Sequence, residues 1–251
     1  MEKIINNFRI MVVKDYDAMS DAAAHIVTRQ IAAKPDSVLG LATGSTPIGT
    51  YARLIQAYKA GSIDFSKITT FNLDEYYPIS PDNNQSYTYY MNNQLFRHIN
   101  INVTNVNIPS GTTGDAAAEC AAYEAKLAAS GGIDLQLLGL GHNGHIGFNE
   151  PSNHFPAATH HTALDASTIA ANARFFDNPD DVPKHALTMG IGTIFGAKHI
   201  LMLISGADKA KIAYSVLRGT ITPQVPASVL QLHSNCTIIL DEAAATELNL
   251  Q

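Results

Sequence analysis

The stretch IDLQLLGLGHNGHIGFNEP, Ile133 to Pro151, changes character at its sixth residue. Ile133 to Leu138 is an apolar run with the length of a buried strand. The remainder is glycine-rich and polar: Gly139, Gly141, Gly144 and Gly147 alternate with His142, Asn143, His145, Asn149 and Glu150, and Pro151 closes the run. Gly139 to Gly144 matches G-x-G-x-x-G letter for letter and comes directly after a strand. A dinucleotide fold, however, needs a helix starting at that loop so that its N-terminus meets the pyrophosphate. Asn149 and Pro151 arrive within one or two turns, so no such helix fits and the nucleotide reading fails. The stretch is a strand that ends in a loop of chemically able side chains.

Outward from it, the chain alternates two periods. Strands are expected at Arg9–Val13, Ser37–Leu41, Lys67–Leu73, Val103–Ile108, Ile133–Leu138, His199–Ile204 and Thr237–Leu240. Helices are expected at Tyr16–Ala33, Pro47–Lys59, Ser86–His98, Asp115–Ala128 and Asp208–Leu217. Short apolar strands between amphipathic helices describe an α/β fold, a mainly parallel sheet covered on both faces. Such sheets bind ligands at the carboxyl ends of their strands, so the residues just after each strand are the place to look. The segment from Ser152 to His185, rich in Pro, Asn, Asp and His, is long enough for a lid over such a site. With no internal repeat or clear linker, residues 1–251 are expected to form one domain.

Three post-strand loops carry the chemistry. In Leu41 to Pro47, Gly44 lets the backbone approach a ligand, Thr46 suits an N-cap and Pro47 the first helical position, so the loop reads as an anion cradle or as an ordinary strand-to-helix turn. In FNLDEYY, Phe71 to Tyr77, consecutive carboxylates point to opposite sides, and only one of Asp74 and Glu75 can readily face a ligand. In the opening stretch, His142 and His145 with Glu150, His154, His160 and His161 invite a zinc reading, but no H-E-x-x-H spacing is present and a glycine-broken loop does not make them converge; no metal is expected. His145 with Glu150 reads better as an acid–base pair, the imidazole carrying a proton and the carboxylate fixing its tautomer. The plainer alternative is that these groups cap a turn.

Composition excludes some classes. The chain has 251 residues, 46% hydrophobic, and a net charge of −6 without a basic cluster, which argues against nucleic acid as a partner. No run approaches eighteen apolar residues and MEKIINNFRIMVV lacks a signal-peptide pattern, so no membrane partner and a cytoplasmic location are expected. Cys120 and Cys236 fit reduced thiols better than a disulfide framework.

In order and spacing, GLATGSTPIGTY, FNLDEY, LGLGHNGHIGFNEP, NARFFDN, ALTMGIGTI, SGADKA and PASVLQLH resemble the glucosamine-6-phosphate deaminase family, from about Leu39 to Asp241. The resemblance implies the Rossmann-like fold shared with 6-phosphogluconolactonases and ribose-5-phosphate isomerases, and the conversion of glucosamine 6-phosphate and water to fructose 6-phosphate and ammonia without a cofactor. It makes His145, oriented by Glu150, the ring-opening proton carrier and Asp74 the base at C2. Gly44, Ser45 and Thr46, with Arg174 and Lys209, would hold the phosphate. Where many members carry Asp, this chain has Asn143, which changes the charge set around His145. Residues 152–164 also lack the basic pair of the allosteric hexameric relatives, so the chain looks like the short, unregulated branch, a monomer or small homo-oligomer. The rivals are a 6-phosphogluconolactonase-type hydrolase and a non-catalytic sugar-phosphate sensor.

Overall fold

The computed structural model describes residues 2–173, 176, 178 and 181–248. Its elements, in chain order, are β1 (Glu2–Ile5), β2 (Phe8–Val13), α1 (Tyr16–Ala33), β3 (Val38–Leu41), α2 (Ile48–Lys59), β4 (Thr69–Asn72), β5 (Asp74–Tyr77), α3 (Tyr87–Gln94) and β6 (Val106–Asn107). They continue with α4 (Ala116–Ala129), β7 (Leu135–Gly139), β8 (His160–Ala163), α5 (Ala166–Asn172), β9 (His185–Thr188), α6 (Ile191–Phe195), β10 (Ile200–Ile204), α7 (Ala210–Arg218) and β11 (Cys236–Asp241). Three helices start on the caps their sequences offer: Asp15, Ser86 and Asp115 accept the amides of Ala18, Tyr89 and Ala118.

Among the described residues, eight strands form one sheet in the order β1-β2-β11-β10-β7-β3-β4-β6, parallel throughout except for the β1–β2 hairpin. Strand alternation divides the core in two. Leu39, Leu41, Leu135, Leu137, Leu201 and Leu203 pack with α1, α2 and α3 on one face; Val38, Leu138, Ile200, Met202, Ile204 and Ile238 pack with α4, α6 and α7 on the other. The expected mainly parallel sheet with helices on both faces is therefore present, and no described helix is long and apolar enough to cross a membrane.

From β3 the chain adds strands in one direction, to β4 and β6; it then returns to β7 and builds the other way through β10 and β11. β3 and β7 are thus the neighbours at which the winding reverses, and they stay in register for only two residue pairs, Leu39 with Leu135 and Gly40 with Gln136. Beyond those pairs their carboxyl ends part, which opens a crevice between the loops at those ends.

Three expectations are corrected. Lys67–Leu73 is not one strand followed by a loop: β4 ends at Asn72, and Asp74 begins β5, part of a separate antiparallel sheet in the order β5-β9-β8. Leu73 joins the two sheets, its amide donating to Leu41 of β3 and its carbonyl accepting from Met189 just after β9. Val103–Ile108 is mostly a 3₁₀ turn, with only Val106–Asn107 paired in the sheet. Thr46 does not cap α2: the cap position is Pro47 without a side-chain bond, because the Tyr16 hydroxyl accepts the Gly49 amide and does that work from α1.

Candidate active site

A cleft of about 660 Å³ lies at the winding reversal. The loop after β3 lines it with Thr43 to Thr46, the β4–β5 junction with Asp74, the loop after β7 with Leu140 to Asn143, His145 and Phe148, α5 with Thr168, and the turn after β10 with Ser205, Asp208 and Lys209. Of the residues singled out from sequence, Gly44, Ser45, Thr46, Asp74, Asn143, His145 and Lys209 border this one space, and Glu150 stands directly behind His145. Arg174 lies outside the described residues.

The cradle is built by tyrosines that sequence reading missed. The hydroxyls of Tyr51, Tyr90 and Tyr16 donate to the carbonyls of Ala42, Gly44 and Ser45. With its carbonyls held from behind, and Gly44 at φ 88°, the loop keeps the amides of Gly44, Ser45 and Thr46 unused by any described protein acceptor. Free amides beside a cation make an anion site. That cation is Lys209, whose Nζ also donates to the Leu140 carbonyl at 2.8 Å, tying the turn after β10 to the start of the glycine-rich loop. The turn itself is pinned by buried Asp241, which accepts from the Ser205 hydroxyl and the Gly206 amide.

Within the glycine-rich loop the imidazole is tightly placed. His145 Nδ1 donates to Asn143 Oδ1 at 2.7 Å and lies 3.2 Å from Glu150 Oε2; Asn143 Nδ2 donates to the same Glu150 oxygen at 2.8 Å. The amide thus bridges imidazole and carboxylate. With the proton held on Nδ1, Nε2 is left as the acceptor. Thr168 donates its hydroxyl to Glu150 Oε1, so both carboxylate oxygens are engaged. Burial pushes the Glu150 carboxyl up, but the bond and charge of His145, then Thr168 and Asn143, outweigh it and bring it down to about 2. Gly141 is required here, since a Cβ would fall 2.3 Å from the imidazole ring.

Asp74 is the opposite case. It is 6% exposed, and burial, with the neighbouring charge of Glu75, raises it to about 8, no hydrogen bond opposing the rise. Gly147 of the His145 loop lies against it: a Cβ there would stand 3.5 Å from Asp74 Oδ2 and 2.8 Å from Thr188 Oγ1. As alternation requires, Glu75 points away; burial raises it too, while the amides of Tyr87, Thr88 and Tyr76 lower it as it caps α3. The histidines do not gather: His142 pairs at 3.4 Å with Asp208 on the exposed rim, and no group of three or more His, Cys, Asp or Glu suited to a metal occurs among the described residues.

A crevice with an anion cradle, a bare carboxylate and a backed imidazole suits proton transfers on an anionic substrate. The comparisons agree with that class. The family profile described as glucosamine-6-phosphate isomerases/6-phosphogluconolactonase matches residues 14–239. A glucosamine-6-phosphate deaminase of Clostridium novyi (strain NT) is 54% identical over 240 residues, 96% of this chain and 100% of that protein. One of Clostridioides difficile (strain 630) is 52% identical over 241 residues, 96% of this chain and 97% of that protein. A solved monomeric glucosamine-6-phosphate deaminase superposes with a TM-score of 0.93 at 47% identity, covering 95% of this chain and 99% of its own. The 6-phosphogluconolactonase of Thermotoga maritima shares the fold, with a TM-score of 0.74 at 20% identity over 94% of this chain and 100% of its own. The chain belongs to the glucosamine-6-phosphate isomerase/6-phosphogluconolactonase family.

Proposed function

We propose that this chain converts glucosamine 6-phosphate and water to fructose 6-phosphate and ammonia. The named relatives, matched over nearly their whole length, support the reaction, and the observation that carries it in the site is the bare, buried Asp74 carboxyl sharing one cleft with a backed imidazole. A lactone hydrolase has no carbon acid to deprotonate and needs one base, to activate water; a second base on the opposite wall of the cleft fits a reaction with a further proton to move.

The phosphate sits on the amides of Gly44 to Thr46 beside Lys209, with Arg174 as a further cation. His145 Nε2 takes the proton from the anomeric hydroxyl and delivers it to the ring oxygen as the C1–O5 bond breaks; the imidazolium formed meanwhile is stabilised by Glu150 through Nδ1. Asp74, as the carboxylate, removes the C2 proton of the open aldose, and the electron pair moves through C2–C1 onto the aldehyde oxygen, which takes a proton from the adjacent substrate ammonium to give an enolamine. Returned to C1, that proton yields the ketimine, which water hydrolyses to the ketose and ammonia. A carboxylate raised to about 8 is a stronger base than an ordinary one, and the cationic amine of the substrate beside it favours its ionised form. Residues 152–185 act as the cover of the cleft, within one catalytic domain. The test is a coupled assay for fructose 6-phosphate and ammonia from glucosamine 6-phosphate, with 6-phosphogluconolactone as the rival substrate. Lactone hydrolysis without ammonia release would overturn the reading.

A further inference from the structure

Glu150 receives donors from two directions. Asn143 and His145, on its own loop, bond Oε2, whereas Oε1 is bonded by Thr168, which stands on α5 in the segment between β8 and β9. Thr168 is 7% exposed and also lines the cleft. The segment that carries it reaches the site through a small apolar cluster, separate from the two cores that clamp the large sheet: Leu164 and Ile169 pack with Phe148, Tyr76 and Tyr87. Phe148 belongs to the His145 loop and Tyr87 borders the cleft, their rings stacked at 6.0 Å. Thr168 therefore does two things at once: it borders the cleft and supplies a donor to the carboxylate behind His145. The chain just before β8 is fastened by a different device, Glu124 of α4, which accepts the amide and hydroxyl of Thr159 and the hydroxyl of Thr193 on α6. α5 is thus seated on this satellite cluster and not on the two cores of the large sheet.

We propose that Thr168 is a positioning residue for ring opening, the donor through which α5 completes the Glu150–Asn143–His145 relay. Without its hydroxyl, Glu150 Oε1 is left buried without a partner, and the carboxylate turns to recover a bond at the expense of the geometry that aligns His145. The step at C2 belongs to Asp74, on the opposite wall, and does not depend on it. The inference rests on the functional reading above.

The experiment compares wild type with Thr168→Val, which keeps the shape and loses the hydroxyl, and Thr168→Ser, which keeps the hydroxyl. It uses glucosamine 6-phosphate with hydrogen or deuterium at C2. In Thr168→Val, kcat should fall about tenfold, as for loss of a hydrogen bond to a charged group, with KM changed less than about threefold. The C2 isotope effect should be no larger than in wild type, because ring opening has become the slower step, and Thr168→Ser should restore most of kcat. Wild-type turnover in Thr168→Val, an equal loss in Thr168→Ser, or an isotope effect that rises would overturn the inference alone. A wild-type protein that releases no ammonia would overturn the functional reading and the inference with it.

Discussion

The two walls of the cleft hold carboxyl groups in contrasting states. On the β4–β5 wall, Asp74 is buried with no hydrogen-bond donor among the described residues and rises to about 8; on the glycine-rich loop, Glu150 is less deeply buried, has both oxygens engaged and falls to about 2. Burial raises both, Asp74 the more, and Asp74 has the like charge of Glu75 beside it, whereas Glu150 has His145, Thr168 and Asn143 to outweigh its burial. A carboxyl kept bare is poised to take and return a proton, whereas one saturated with donors stays ionised and serves as a fixed charge behind an imidazole. Division of labour between the walls is set by depth of burial, by the sign of the neighbouring charge and by where the protein places its N–H and O–H groups.

The most severe way to break this comparison is Asp74→Asn, which keeps shape and removes the base. Turnover should fall by about a hundredfold or more, and exchange of the C2 proton with solvent should vanish with it. Retained exchange would remove Asp74 from the role. The same variant tests its electrostatics through stability. The folded-state value of about 8 lies above the unfolded value of about 3.9, so between these pH values the native state binds the extra proton and wild type loses stability as pH rises. Asp74→Asn has no such loss. Its unfolding midpoint relative to wild type should climb between pH 4 and pH 8, and a flat difference would contradict the burial account.

Next in size is the phosphate end. Lys209→Ala should weaken binding of sugar phosphates by about 1.5 to 3 kcal/mol, the range for a hydrogen bond to a charged group. Because Lys209 also holds the Leu140 carbonyl, the loss has two possible sources. Glucosamine without phosphate separates them: it should be equally poor with wild type and variant if Lys209 acts on the phosphate, and poorer with the variant if the loop has shifted.

This contrast between walls was half legible in the sequence. The cradle, Asp74 and the His145 loop announced themselves because a parallel sheet collects ligands at its strand ends, and each lies just past an apolar run. Glu75 turning away from Asp74 was legible from alternation alone. The partners that set the chemistry were not, since they arrive from distant chain: the Tyr90 hydroxyl reaches Gly44 across 46 positions and Tyr16 reaches Ser45 across 29. Thr168 is an unremarkable helix residue until the fold sets it against Glu150. The second sheet escaped for another reason. β8 reads HHTA, with no apolar alternation to mark a strand, and β4 and β5 are separated by Leu73 alone, so the chain switches sheets without a turn signal.

A gentler variant sharpens the comparison at the saturated wall. Glu150 is held at about 2, below its unfolded value of about 4.3, so its contribution to stability is present above the unfolded value and is lost as pH falls toward 2. In Glu150→Gln that part of acid sensitivity should disappear. Urea unfolding at pH 6 and at pH 3 should show a smaller drop in the variant than in wild type, and equal drops would mean that its donors do not favour the charged form.

The smallest expected change is also the most specific to this chain, at Asn143. Its amide accepts from His145 and donates to Glu150, a bridge that an Asp cannot make, since it offers no donor to the glutamate. Asn143→Asp places a second carboxylate against the imidazole, and two anions favour the imidazolium more than one. His145 must begin neutral to accept the anomeric proton, so the variant should need a higher pH to reach that state. Wild type and variant should therefore differ on the acid limb of kcat/KM and converge at alkaline pH. Asn143→Asp should move the acid limb upward in pH, with activity retained at alkaline pH. The measurement is the pH–rate profile of both forms with glucosamine 6-phosphate at fixed ionic strength. An acid limb that stays put or moves down would show that it does not report on His145, or that the residue at 143 does not govern it.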